Sequence, residues 1–281
     1  MSTLFDNTKF YFNDTKDFLE SNSLIAKFSF LLLVIFLFIV LLRLGASLLT
    51  WGFSYSEDPI LFKGMKDAKT MSRISTNPNT PNSIPILRSK NRTDGLEFSW
   101  SIWIFIEDPV YKQDQYKHIF SKGNDAHDNS GIMKPNNSPG LYLTPIINNQ
   151  QNLLIRMNTF EQINEDVLVE DIPINKWVNI ITRCDQHQLD IYINGILTKR
   201  HILEGVPKQN YDDVWVTLNG GFDGYVSELK YFSRAIGLGQ IQSIIDAGPN
   251  LNLNDNTITK SKPHYLSTRW YFSGVEDGYN P

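Results

Sequence analysis

The chain has one cysteine, Cys184, in 281 residues. No intrachain disulfide can form, and a Cys-based zinc cluster is excluded. Within the strand-like "NIITRC", Cys184 suits a small buried hydrophobe better than a nucleophile. Charge of one sign is lacking too. The 26 basic and 30 acidic residues leave a formal net charge of −4, so no broad positive field exists to attract nucleic acid. The five histidines, His118, His127, His187, His201 and His264, show no His-x-x-x-His spacing, and no Gly-rich phosphate loop follows a strand.

One long apolar run stands out. Residues 28–42, "FSFLLLVIFLFIVLL", contain a single non-apolar position, Ser29. The run lengthens to 24–53 if Lys27 and Arg43 snorkel and Trp51 rests at the interface. At about −0.3 to −0.6 kcal/mol each, its Leu, Ile, Val and Phe residues outweigh the single arginine, so the expectation is one transmembrane helix with the lipid bilayer as partner. A cleaved signal peptide fits poorly, because Asp6, Asp14, Asp17 and Glu20 precede the run. Orientation stays open. Lys9, Lys16 and Lys27 lean towards a cytoplasmic N-terminus, whereas the unpaired cysteine leans weakly the other way. Sequons at Asn91 and Asn136 matter only if the bulk of the chain is lumenal.

Five segments follow. Residues 1–23 are polar with scattered aromatics, 24–53 form the anchor and 54–83 read as linker, Pro- and Asn-rich towards the end. Residues 84–248 read as many short strands, and 249–281 form a tail. In "LEFSWSIWIFIED", Phe98, Trp100, Ile102, Ile104 and Ile106 share one side. Val178, Ile180 and Cys184 share a face, as do Leu189, Ile191 and Ile193, and Asn194-Gly195 marks a type I′ hairpin turn. A single helix is expected late, in "LGQIQSIIDAG". Strands with almost no helix predict a mainly β, two-sheet antiparallel sandwich behind one transmembrane helix. Trp103, Trp177 and Trp215 are expected in the core or between the sheets, leaving no exposed sugar platform.

The ordered set "FSWSIWIFIED", "HIFSKGN", "PGLYL", "INKWVNIITRCDQHQLDIYINGILTKR" and "GGFDGYVSELKYFSRAIGLGQI" resembles the concanavalin A-like, laminin-G-like lectin/glucanase superfamily across residues 84–248. The resemblance implies a jelly-roll sandwich but no single function, since its members include lectins, hydrolases and adhesion modules. "GLGQI" departs from the usual Ser-x-x-Glu-Ile helix start, with Gly237 left to serve at the cap. Anchor, sandwich and a tail containing "HYLSTRWYF" together resemble membrane-anchored minor capsid proteins of large double-stranded DNA viruses.

Candidate chemistry is sparse. A retaining glucanase needs carboxylates about 5 Å apart on one face. In "EQINEDVLVEDIP", Asp166 and Glu170 share one face, and Glu165 and Asp171 the other, at the wrong spacing. Asp190 is expected as a surface residue beside a turn. "GNDAHDNSG" offers Asn124, Asp125, Asp128 and Asn129 to calcium, although a polar turn rich in Asn and Asp for backbone reasons explains them better, and no metal or other cofactor is assigned. Tyr265, Trp270, Tyr271 and Phe272 are the candidate partner-binding residues, either folding back along a sheet edge or docking on a neighbour. The leading expectation is a non-enzymatic, single-pass membrane protein tethering a protein shell to the underlying virion membrane. The alternative is a membrane-displayed lectin or adhesion module with glycans as partners. A glycoside hydrolase comes third.

Overall fold

A computed structural model describes residues 23–93, 95–146 and 150–253. The chain divides into two units, residues 1–55 and 56–281.

In the first unit, α1 runs Leu24–Phe53. Ser23 caps it, its Oγ accepting the Ala26 N–H at 3.2 Å. Thirty residues make a helix about 45 Å long, more than the roughly 30 Å hydrocarbon core. Every residue from Phe30 to Leu42 is exposed, so the helix is apolar on all sides and has no inward face. It is long and apolar enough to cross a membrane.

The second unit is a sandwich of two antiparallel sheets. In chain order its strands are β1 Ile60–Asp67, β2 Ser72–Ile74, β3 Lys90–Arg92, β4 Gly95–Ile106, β5 Lys117–Lys122, β6 Gly140–Leu143 and β7 Leu153–Met157. There follow β8 Glu165–Val169, β9 Trp177–Gln186, β10 Gln188–Ile193, β11 Ile196–Ile202, β12 Val214–Val216 and β13 Gly224–Phe232. The larger sheet is ordered β1-β13-β4-β9-β10-β11, with β3 pairing the start of β4. The smaller is ordered β2-β12-β5-β6-β7-β8. Helix α2, Leu238–Ala247, is entered through Gly237 without a side-chain cap.

Alternation builds the core. Phe98, Trp100, Ile102, Ile104 and Ile106 point inward from β4 and meet Ile119, Phe120, Leu141, Leu143 and Ile155 of the smaller sheet. Trp100 lies 5.3 Å from Phe120 and 4.9 Å edge-on from Tyr231, ring to ring. Val178, Ile180, Cys184, Leu189 and Ile191 join them, so the β9–β10 hairpin packs against the opposite sheet, while β11 at the edge is almost wholly exposed. Asn194 and Gly195 have φ of 50° and 80°, the positive pair that a two-residue type I′ turn demands. Both outer faces are covered in part. Helix α2 lays Ile241 and Ile244 on Ile181, Tyr192 and Phe232 of the larger sheet. On the smaller sheet, Ile132 and Met133 of the β5–β6 connection cover Tyr142, Leu154 and Trp215.

Three expectations change. Segment 54–83 is no plain linker, because it supplies β1 and β2, one strand at an edge of each sheet. Strand β1 bends at register shifts around Phe62–Met65, which hides its alternation, and β2 has only three residues. Trp103 and Trp215 are buried as expected, but on outer faces of the sheets, and Trp177 is not buried; among the described residues Trp100 alone of the tryptophans sits between the sheets. Trp177 is half-exposed, its ring 5.6 Å from Phe105. Asp190 points away from the core but has no exposed surface. Arg183 and Arg200 bracket it at 3.1 and 2.7 Å, and Gln188 Nε2 donates to it at 2.8 Å. A surface carboxylate has become a buried one enclosed by cations.

Candidate functional site

The expected membrane-flanking residues lie on α1. Lys27 and Arg43 are exposed about 24 Å apart at 1.5 Å per residue, less than the roughly 30 Å hydrocarbon core that a span crosses. Trp51 is exposed in the last turn. Tyr265, Trp270, Tyr271 and Phe272 lie outside the described residues. As far as Leu253, the segment leaving α2 follows the sheet edge. Ser227 Oγ donates to Asn250 O at 2.8 Å, Met65 N–H donates to Asn252 O at 2.9 Å, and Leu253 bridges Met65 in parallel.

The carboxylates do not assemble into a catalytic pair. Asp166 is clamped by Arg156 through two bonds of 2.6 Å. Glu165 faces the other way and is buried, its Oε1 bonded to His201 Nε2 and the Glu204 N–H, each at 2.9 Å, while Oε2 has no partner. Glu170 and Asp171 lie beyond β8 and are exposed. Cys184 is buried in the core, and burial pushes its thiol pKa up, away from the thiolate a nucleophile needs.

In the Asn/Asp loop, Asp128 spends its oxygens on the loop itself, while Asn124 Oδ1 is buried without a hydrogen-bond partner. Asp128 Oδ1 accepts from Ser130 N–H (3.0 Å), Ser130 Oγ (2.5 Å) and Ile132 N–H (3.0 Å), and Lys134 Nζ lies 3.0 Å from Oδ2. Burial raises this carboxyl's pKa, but Ser130, Lys134 and the Ile132 N–H outweigh it and hold the group well below the usual range. A lysine ammonium thus stands beside the oxygen that calcium would claim. Among the described residues, no three His, Cys, Asp or Glu side chains stand close enough to hold a metal.

The unspent chemistry lies at one end of the sandwich. There Arg88, the β3–β4 hairpin, the β9–β10 turn and the loops after β7 and β11 surround an open cleft of about 550 Å³, within the usual range for a ligand site. Two of its loops are zipped together by backbone. Phe160 N–H donates to Val206 O at 3.0 Å, Lys208 N–H donates to Asn158 O at 2.8 Å, and Thr159 bridges Pro207. Gly205 permits this approach, since a Cβ there would lie 2.8 Å from the Glu161 nitrogen. The zip fixes Phe160 in the cleft wall with 68% of its surface exposed and Lys208 Nζ 5.5 Å from its ring centre. The same lining includes Arg88, Asn91, Arg92, Thr93 and His187. Arg92 is occupied by Glu97, whereas Arg88 Nη2 donates to Asn91 Oδ1 at 3.2 Å. Gln209 carries a buried Oε1 with no hydrogen-bond partner.

Below the mouth, a one-water-sized hollow shares Leu96 and Gln209 with the cleft and reaches Trp100, Tyr231 and Lys122. Lys122 is buried with its Nζ 2.6 Å from Asp212 O, and burial lowers its pKa to about 8. Sequence reading missed this cleft, for Arg88, Phe160, His187 and Gln209 share no motif and meet only through the fold. A single signal was present: the Asn91 sequon lies on the cleft wall, so a glycan attached there would fill it.

The sequence model of the concanavalin A-like lectin/glucanases superfamily matches residues 80–242, more than half of the chain, and the chain belongs to that superfamily. No curated protein matches it. Among solved structures, the receptor-binding domain of botulinum neurotoxin C/D mosaic serotype aligns with TM-score 0.40 and 14% identity, over 54% of this chain and 36% of that one. The botulinum neurotoxin serotype D ligand-binding domain in complex with N-acetylneuraminic acid aligns with TM-score 0.43 and 12% identity, over 67% and 47%. The chain thus spans less than half the length of these structures.

Proposed function

We propose that this chain is a glycan-binding module, displayed on a membrane by α1, that holds a sugar in the rim cleft and catalyses no reaction. The observation that carries this reading is the cleft itself, where a rigidly mounted, exposed Phe160 ring shares the lining with amide, hydroxyl and guanidinium groups. An aromatic face takes the C–H face of a pyranose, and the surrounding polar groups take its hydroxyls. The unpartnered Gln209 Oε1 fits a hydroxyl donor, because an acceptor left unmade when buried costs about 1–3 kcal/mol. Membership of a superfamily that includes lectins is consistent with it.

The test is a glycan array probed with the full chain in lipid nanodiscs, wild type against Phe160→Ala. Binding that the substitution weakens about tenfold or more supports the reading. Absence of any glycan ligand, or binding indifferent to Phe160→Ala, overturns it.

A second reading, a virion minor capsid component tethering a shell to its membrane, draws on a different observation. Leu251 and Leu253 are exposed on the segment that leads into the aromatic tail. Cross-linking mass spectrometry on intact particles decides between them. Abundant links from Lys260 and Lys262 to one repeating shell protein favour the tether, and links confined to this chain favour the displayed lectin.

A further inference from the structure

We infer that the rim cleft selects glycans bearing a negatively charged group, a carboxylate or a sulfate ester, and that Arg88 is the residue that reads it. This deepens the glycan-binding reading and rests on it.

The first argument is charge. The chain carries a net charge of −4, yet the cleft lining includes Arg88 and Arg92 and not one carboxylate. Local lining so opposed in sign to the whole chain is a selective feature of the site rather than a general property of the surface.

The second argument follows from what each cation already does. The guanidinium of Arg92 is taken by both oxygens of Glu97. Arg88 instead has only the neutral Asn91 Oδ1, and among the described residues no carboxylate pairs with it. A guanidinium has five N–H donors in a planar fork, so most of Arg88's capacity remains open, in the geometry that two oxygens of a carboxylate or sulfate accept. Lys208 adds a positive charge at the edge of the Phe160 platform.

The third argument is the rest of the lining. Asn91, Thr93 and Gln209 supply neutral partners for hydroxyls, and Phe160 supplies a stacking face. A bare anion would use the arginine alone. An acidic sugar uses every part.

The experiment pairs glycans that differ only in the acidic group: sialylated against asialo, uronate against neutral hexose, and sulfated against unsulfated. The full chain is held in nanodiscs of zwitterionic lipid. The acidic member is expected to bind about tenfold tighter or more, with a preference that shrinks as salt rises from about 50 to 500 mM. Arg88→Gln should remove most of that preference, weakening the acidic member about tenfold and the neutral member far less, with the melting temperature unchanged, and Arg88→Lys should restore part of it. The sialyl, uronate and sulfate arms identify which acid is read. Equal binding within every pair, or a preference that survives Arg88→Gln, overturns the inference and leaves the glycan reading standing. If the wild-type chain binds none of these glycans, both fall.

Discussion

The β5–β6 connection and the rim cleft are both lined with polar residues, and the fold uses most of them in opposite ways. In the connection, although Asn124 Oδ1 is left without a partner, the polar groups around Asp128 and Asn137 are consumed internally. Asp128 collects Ser130, Ile132 and Lys134, and Tyr142 takes the Met133 N–H at 3.2 Å while its hydroxyl donates to Asn137. Asn137 Nδ2 then donates to Met133 O at 2.6 Å, and Trp215 Nε1 to Gly123 O at 3.0 Å. In the cleft, the backbone does the bracing and the side chains are left over. Arg88 is barely engaged, Gln209 Oε1 is unpartnered and the Phe160 ring, touched by Lys208, keeps 68% of its surface exposed. Polar composition therefore does not mark a binding site. Capacity left after internal hydrogen bonding does.

The contrast can be broken by experiment, beginning with acid. His118 is buried beneath the connection, its Nδ1 accepting the Leu218 N–H at 3.0 Å and its Nε2 bonded to Ser121 Oγ at 2.9 Å. Burial, with a smaller push from His127, lowers its pKa from 6.5 to about 3. Between those values the unfolded chain binds the proton and the folded chain does not. The contribution to stability is thus complete above pH 6.5 and lost as pH falls towards 3, a change on the order of 3–5 kcal/mol. Urea titrations across that window should show His118→Asn, whose Oδ1 still accepts from Leu218, losing distinctly less stability than wild type.

Next in size is Asp128→Ala. It strips partners from two backbone N–H groups and Lys134 and should lower stability by about 2–3 kcal/mol in denaturant titration without altering glycan affinity. Added calcium should leave the wild-type melting temperature where it was. Gly205→Ala joins the two regimes, because its Cβ must displace the Glu161 backbone. A loss of about 1–2 kcal/mol should come with weakened sugar binding as the Phe160 wall moves. Smallest in stability is Phe160→Ala, within about 0.5 kcal/mol of wild type by calorimetry, even though glycan affinity drops about tenfold. Equal loss of stability and binding in that variant would mean the ring packs rather than binds.

Much of the fold was legible because it rests on period and turn chemistry. The five inward residues of β4 and the Asn194-Gly195 turn are local patterns, readable without knowing any partner strand. Strands β1 and β2 escaped because a bent edge strand and a three-residue strand have too little period to detect. Asp190 misled for the reverse reason. Its outward direction was legible, but the arginines that roof it come from β9 and β11 and are visible only once the ribbon is folded. The cleft is the extreme case, since Arg88, Phe160, His187 and Gln209 lie on four separate connections. What a sequence shows is which atoms a segment offers. Which of them remain free is decided by segments far away.

The pairing of Leu253 alongside β1 has a mechanical consequence. Chain enters the sandwich through Glu57 and Pro59, bonded to Ser233 and Tyr231 of the β13 end, and the last described residues run parallel to β1 at the opposite side of that strand. Tension between the incoming segment and the outgoing one is therefore directed along the strands, not across them. It loads the β1–β13 ladder in shear, where its hydrogen bonds resist together, instead of peeling them apart singly. The edge that closes the larger sheet is also oriented to bear a pull.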